Sequence, residues 1–234
     1  MGNYKDQQMQ TLANKGNGNH AYIDNIQEAQ KVLLTEFAGT MHTIAKDVKL
    51  QIEFNPANVE AYRLVGYENR LLEKEDFNDD QKDAGEIGFG HQMTAIYEIV
   101  KAGGKGINYK GQVDELKYQK QIKGSVKSTL TDELATIKFR YKNPDEDKSK
   151  LKSIVVTTES KAMDAMSDDV QFSIAVAEFG QLLRESDFNK SGNYKQVIEL
   201  AKKSKAKDTD GYRSEFVRLA KVAASIHDDF ASRE

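Results

Sequence analysis

The chain has 234 residues, 38% of them hydrophobic and 30% charged, with a formal net charge of -3 at pH 7. That balance lacks the basic footprint on which nucleic-acid affinity rests, and no apolar run is long enough to span a bilayer. With no Cys, disulfides, thiolate metal sites and Cys nucleophiles are excluded.

From the N-terminus, Tyr4 to Asn14 has helical spacing, with Met9, Leu12 and Ala13 on one face, and Gly16 and Gly18 break it. His20 to Ile23 is a short apolar run, enough for one strand. Asp24 then stands as an N-cap before Ile26, Ala29, Val32, Leu33 and Phe37, a second amphipathic helix. A helix–strand–helix of this kind belongs on a parallel sheet covered on both faces. One strand cannot make that sheet, and no other βα unit follows. Residues 1–40 are therefore expected to be the closing fragment of a larger α/β domain.

After Gly39 the period changes to alternation. Val48, Leu50, Ile52 and Phe54 predict a strand that ends in the turn Asn55-Pro56-Ala57-Asn58. Val59 to Tyr67 is a second strand-like run, so the two are expected to form a hairpin with a longer loop. Asn69 to Asp83 is acidic, with a helical turn expected around Leu71 and Leu72. Ile87 to Val100 reads as one long strand with Met93, Ala95, Tyr97 and Ile99 on a face. Lys101 to Gly111 is glycine-rich and loop-like. Thr129 to Tyr141 alternates again, and the charged turn Asn143 to Lys150 leads into Leu151 to Thr157.

From Asp168 the period returns to helical. Phe172, Val176, Phe179 and Leu183 form one stripe, expected to be buried. Val197, Leu200 and Ala201 mark the next helix, and Phe216, Leu219, Ala220 and Ala223 the last. The predicted fold is α+β: an antiparallel β-sandwich over 41–160 packed with C-terminal helices over 161–234, preceded by the α/β fragment at 1–40.

Three stretches carry a family resemblance: NKGNGNHAYIDN at 14–25, NDDQKDAGEIGFGHQMTAIYEIV at 78–100, and AVAEFGQLLRES at 175–186 followed by GYRSEF at 211–216. Together they resemble the C-terminal part of von Willebrand factor type A (VWA) domain proteins of the bacterial cell envelope, in which a domain of unknown function follows the VWA domain. The resemblance implies that residues 1–40 are the last helix–strand–helix of the VWA domain. It also implies an exported, often lipid-anchored location. The family's metal-ion-dependent adhesion site uses an Asp-x-Ser-x-Ser loop, and no such loop occurs in this chain. No metal residue is carried over, and no cofactor is expected.

The acidic loop offers the best candidate for a site. Asp76, Asn78 and Asp80 fit positions one, three and five of a calcium loop, where hard oxygens at alternate residues converge on a cation. The match then fails, because Gln81 stands where the sharp turn needs Gly and Ile87 where the bidentate Glu belongs. His91 follows Gly88 and Gly90 and lies near Glu86, a pairing that could supply a base or a ligand. It equally fits a His bonded to backbone at the start of a strand. The GNGN run at 16–19 lies between helix and strand in the wrong order for a phosphate cradle and reads as a helix C-cap. Lys202, Lys203, Lys205 and Lys207 end a helix, where cations complement the macrodipole. Tyr212, Arg213 and Phe216 could anchor an interface or pack helix on helix with Arg213 paired to an acid.

No Gly-x-Ser-x-Gly, His-Glu-x-x-His or paired-His spacing is present, so hydrolase chemistry has no positive support. The expected function is a non-catalytic accessory or interaction module that follows a VWA domain and binds a protein partner. The alternative is a calcium- or glycan-binding sandwich using the 76–91 loop. The apolar residues of 1–40 are also expected to allow a homodimer through that segment.

Overall fold

In the computed structural model the described residues are 5–16, 18–67, 71–103, 132–189 and 191–231. Tyr4, Asn17 of the GNGN run, Asn69, residues 104–111 of the glycine-rich stretch and 129–131 before the later strand lie outside them. The chain is α+β, with antiparallel sheets and C-terminal helices. It divides into two compact units, each assembled from separate stretches.

The first unit comprises Met1–Asn55, Leu71–Met93 and Thr129–Thr157. It opens with α1 (Asp6–Lys15), which ends where the Gly16 N–H bonds the carbonyls of Leu12 and Ala13. His20–Ile23 forms no strand. Asn25, not Asp24, caps α2 (Ile26–Gln30), with its side-chain oxygen accepting the Glu28 N–H at 2.8 Å. The expected single helix is broken by a π-helical turn at Lys31–Thr35 before α3 (Phe37–Met41).

The sheet of this unit has the order β3-β1-β5-β6, all antiparallel. Its strands are β1 (Thr43–Phe54), β3 (Gly85–Gly88), β5 (Glu133–Lys142) and β6 (Lys150–Thr157). The register pairs Leu50 with Phe139, Ile52 with Ile137 and Ile137 with Ile154. Side chains alternate across a pleat, so these apolar residues share one face. Lys49, Arg140 and Lys142 stand on the other. A register shift interrupts β1 between Lys46 and Lys49, and there Asp47 adopts φ 49°. A bulge of this kind redirects a side chain, and Asp tolerates left-handed backbone better than most residues.

The second unit comprises Pro56–Arg70, Thr94–Ser128 and Thr158–Glu234. In it β2 (Val59–Val65) pairs antiparallel with β4 (Ile96–Lys101). The expected hairpin between the first two strands is therefore corrected, because β1 and β2 enter different sheets. The single strand at 87–100 is also corrected. It is two strands, β3 and β4, interrupted after the close-packed Gly88 and at Gly90, whose φ of 76° suits only glycine well.

Three helices complete this unit. The hydroxyl of Ser167 caps α4 (Asp168–Leu183), and Asn193 caps α5 (Tyr194–Lys203) by accepting the Gln196 N–H at 2.9 Å. The last, α6, spans Tyr212–Ala231. Their core is Ala175, Ala201 and Val217, with Phe172, Leu200 and Phe216 packed around it. The small residues let the helices approach, and Phe216 meets Phe172 and Phe179 edge-on, each at 5.3 Å between ring centroids. The stripe on α4 is not buried along its length: Val176 and Leu183 are exposed, and the core takes Ala175 instead. No helix among the described residues is long and apolar enough to cross a membrane.

Candidate functional site

The acidic turn becomes a 3-10 helix at Glu75–Asn78, a few residues beyond Leu71 and Leu72, and Phe77 is its buried anchor. It lies against the polar face of β1 and β5. Lys49 on β1 is only 3% exposed, and its Nζ donates to the carbonyls of Asp76, at 3.1 Å, and Asp79. Arg140 on β5 stacks over the Phe77 ring at 5.4 Å and donates to Asn78 Oδ1 at 2.9 Å and Ser149 Oγ at 2.7 Å. Lys142 completes the row, donating to the Asp80 carbonyl at 2.7 Å and pairing with Asp47 at 2.7 Å. From the turn's own side, Lys82 pairs with Asp76 at 2.8 Å.

These contacts set the ionisation of the cluster. Burial works against ionising Asp47. The hydrogen bonds from Lys142 and the Ala84 N–H, with the charges of Lys142 and Lys49, outweigh it and hold the carboxyl below its ordinary range. For Asp80 the bonds from Ser149 act in the same direction, joined by Lys142 and Arg140. Lys82 and Lys142 are pushed up by their bonds to Asp76 and Asp47 respectively. The turn is thus an anionic segment neutralised by cations from its own chain.

That arrangement bears on the calcium reading of Asp76, Asn78 and Asp80. One side-chain oxygen of each residue is engaged, by Lys82, Arg140 and Ser149 respectively, while Asp80 Oδ1 is buried without a hydrogen-bond partner among the described residues. Lys49 and Lys142 occupy the neighbouring carbonyls, so an entering ion would meet a ring of positive charge. Among the described residues no group of three or more His, Asp or Glu is arranged to hold a metal.

Glu86 is exposed and accepts from the Thr43 hydroxyl at 3.3 Å. His91 is exposed, and its backbone N–H donates to the Gly88 carbonyl at 3.1 Å. No hydrogen bond or ion pair joins the two side chains, so the structure does not bring this candidate base and its partner into one site.

Tyr212, Arg213 and Phe216 sit on the first turns of α6. Arg213 lies over the Phe172 ring at 4.8 Å and donates to the Ser204 carbonyl at 3.2 Å and to the Asp169 carboxylate. Asp208 accepts the backbone N–H groups of Arg213, at 3.2 Å, and Ser214, at 2.8 Å, which satisfies donors at the helix start. The cluster ties the end of α5 to the starts of α4 and α6. Lys202 and Lys203 are exposed in the last turn of α5, and Lys205, just beyond it, bonds Ser214 at 3.2 Å.

Lys49, Asp47, Arg140 and Lys142 are absent from the sequence-derived candidates. The signal is the alternation of Lys138, Arg140 and Lys142 with Ile137, Phe139 and Tyr141, which puts three cations side by side on one face of β5. A second cluster was also missed. Arg63 on β2 donates to Glu98 at 2.6 Å and Gln181 at 3.1 Å, with Phe188 under its guanidinium at 4.3 Å.

Residues 39–226 match the family model described as "Uncharacterized protein YfbK, C-terminal". The chain is 42% identical over 226 residues to "Uncharacterized protein YfbK" of Escherichia coli (strain K12), covering 97% of this chain and 38% of that protein. It therefore spans well under half the length of this curated relative. No solved structure matches.

Proposed function

The chain belongs to the YfbK C-terminal family, and from that premise we propose that it is a non-catalytic accessory module. It follows a VWA domain in an envelope-associated bacterial protein and works through protein–protein contacts. The observation that carries this reading is the surface of α1 to α3. Ile26 is 77% exposed and Leu34 75%, and Leu12, Leu33, Phe37 and Met41 are exposed on the same short segment. So many large apolar side chains left in water mark a surface meant for a partner. The sheet of a preceding α/β domain is the partner that the helical pattern suits. The greater length of the curated relative leaves room for such a domain. The envelope location rests on the resemblance in the sequence.

The alternative, a calcium- or glycan-binding module at 76–91, has less support because the acidic turn spends its oxygens on Lys49, Lys82, Arg140 and Lys142. The test is a titration of this chain with the separately produced remainder of Escherichia coli YfbK, followed by sedimentation. A complex that Leu34→Lys with Phe37→Lys abolishes is the expected result. No complex, or one indifferent to those substitutions, would count against the reading. Homodimerisation lost in the same double variant would instead assign this surface to a second copy.

A further inference from the structure

We propose that β6 is a self-pairing edge, through which two copies of the chain join antiparallel about Ile154. The strand ends the order β3-β1-β5-β6, and no described strand pairs with its outer side. All its residues except Val156 are exposed. Leu151 is 51%, Ile154 65% and Val155 50% exposed, so apolar side chains reach water on both faces. An edge of this kind presents a row of backbone donors and acceptors ready for another strand.

The sequence of β6 favours a second copy as the occupant. Its lysines, Lys150 and Lys152, lie at one end. A parallel self-pair would set them against each other, which like charges disfavour. An antiparallel pair with its two-fold axis at Ile154 sets Lys152 against Val156 and Lys150 against Thr158 of the other copy, so no lysine faces a lysine. The same axis, perpendicular to the sheet, keeps each face on its own side. The apolar row of Ile52, Ile137 and Ile154 then runs on into its copy, with Ile154 beside Ile154, while Lys152 stands opposite Phe139 in the next row of the same face. Shifting the register by one residue would join the apolar face to the cationic one. This surface is separate from α1 to α3, so the proposal stands or falls independently of the function proposed above.

The test uses the full chain, whose lack of Cys makes single-Cys variants clean probes. Directly opposite side chains in an antiparallel pair lie about 5 Å apart at Cβ. Oxidation of Ile154→Cys should therefore capture a covalent dimer. Thr157→Cys should not, because its two copies would stand roughly 20 Å apart along the strands. Sedimentation should show the parent as a dimer and Ile154→Lys as a monomer, with Leu34→Lys leaving the dimer intact. A monomeric parent would overturn the proposal. So would a dimer that resists Ile154→Lys, or one that cross-links equally at both Cys positions. Should Ile154→Lys fail to fold, the two Cys variants still decide.

Discussion

Lys49, almost wholly buried on β1, donates its Nζ hydrogen to the backbone carbonyl of Asp76 at 3.1 Å. A lysine is rarely found so deep unless its charge is satisfied, and here a peptide carbonyl, not a carboxylate, accepts its hydrogen bond. The turn at 75–80 is thus fastened to the sheet by main-chain oxygens, and its carboxylates remain for Lys82 and Ser149.

Lys49→Met keeps much of the aliphatic stem and removes the donor. The carbonyls of Asp76 and Asp79 then lose their partner. A buried acceptor left unsatisfied costs about 1–3 kcal/mol, so chemical denaturation should show a loss of at least that size. Faster hydrogen exchange confined to residues around 75–82 should accompany it. A variant as stable as the parent would mean that Phe77, Arg140 and Lys142 hold the turn without Lys49.

Asp47 makes the stability of this unit depend on acid. Its folded-state value is lowered, so its contribution is present above the unfolded value, about 4. That contribution is lost as pH falls through the folded value. Asp47→Asn should be less stable than the parent at neutral pH, and the gap should close as the pH drops below about 4. Lys142 works at the other limit: raised by Asp47, its contribution is complete below about pH 10 and fades above its folded value. Denaturation curves across pH check both limbs, and a gap independent of pH would refute the assignment.

How much of this could be read from the sequence follows from the range of the interactions. Alternation in Val48–Phe54 and Ile137–Tyr141 located β1 and β5, since period two is local. It could not say that β1 pairs with β5 across some eighty residues, because any alternating run could have been the partner. The role of Lys49 is illegible for the same reason: what buries it is a turn roughly thirty residues away. On α4, periodicity chose Val176 and Leu183 for the core, whereas packing selected Ala175, whose small side chain permits close helix contact. The Tyr212-Arg213-Phe216 motif was the most legible candidate, because core packing and an acid partner for Arg213 follow from its residue types.

Arg213 offers a second measure of specificity. Its planar fork serves the Ser204 carbonyl and Asp169 while stacking on Phe172, a combination that a lysine ammonium cannot reproduce. Arg213→Lys should therefore cost about 1.5–3 kcal/mol, the scale of hydrogen bonds to charged groups. Arg218 is a useful contrast on the same helix, since it is 70% exposed and among the described residues pairs with Glu215. Arg218→Ala should cost less than about 1 kcal/mol. Thermal melts of the two variants side by side test the difference, and equal losses would show that Arg213 acts only as surface charge.

The last prediction contrasts two glycines of one short strand. A Cβ built on Gly88 would lie 1.6 Å from the Gly39 carbonyl oxygen, while one on Gly85 meets nothing within 4 Å. The obstacle at Gly88 is backbone, which cannot rotate aside as a side chain can. Gly88→Ala must push α3 and β3 apart, breaking the bond from the Phe89 N–H to the His42 carbonyl at 2.9 Å. Overpacking of this kind costs about 1–3 kcal/mol or more, so the variant should melt markedly lower or fail to accumulate in soluble form. Gly85→Ala should match the parent or exceed it slightly, since alanine restricts the unfolded chain more than glycine does. If both alanines proved equally harmless, the close passage of α3 over β3 would be wrong.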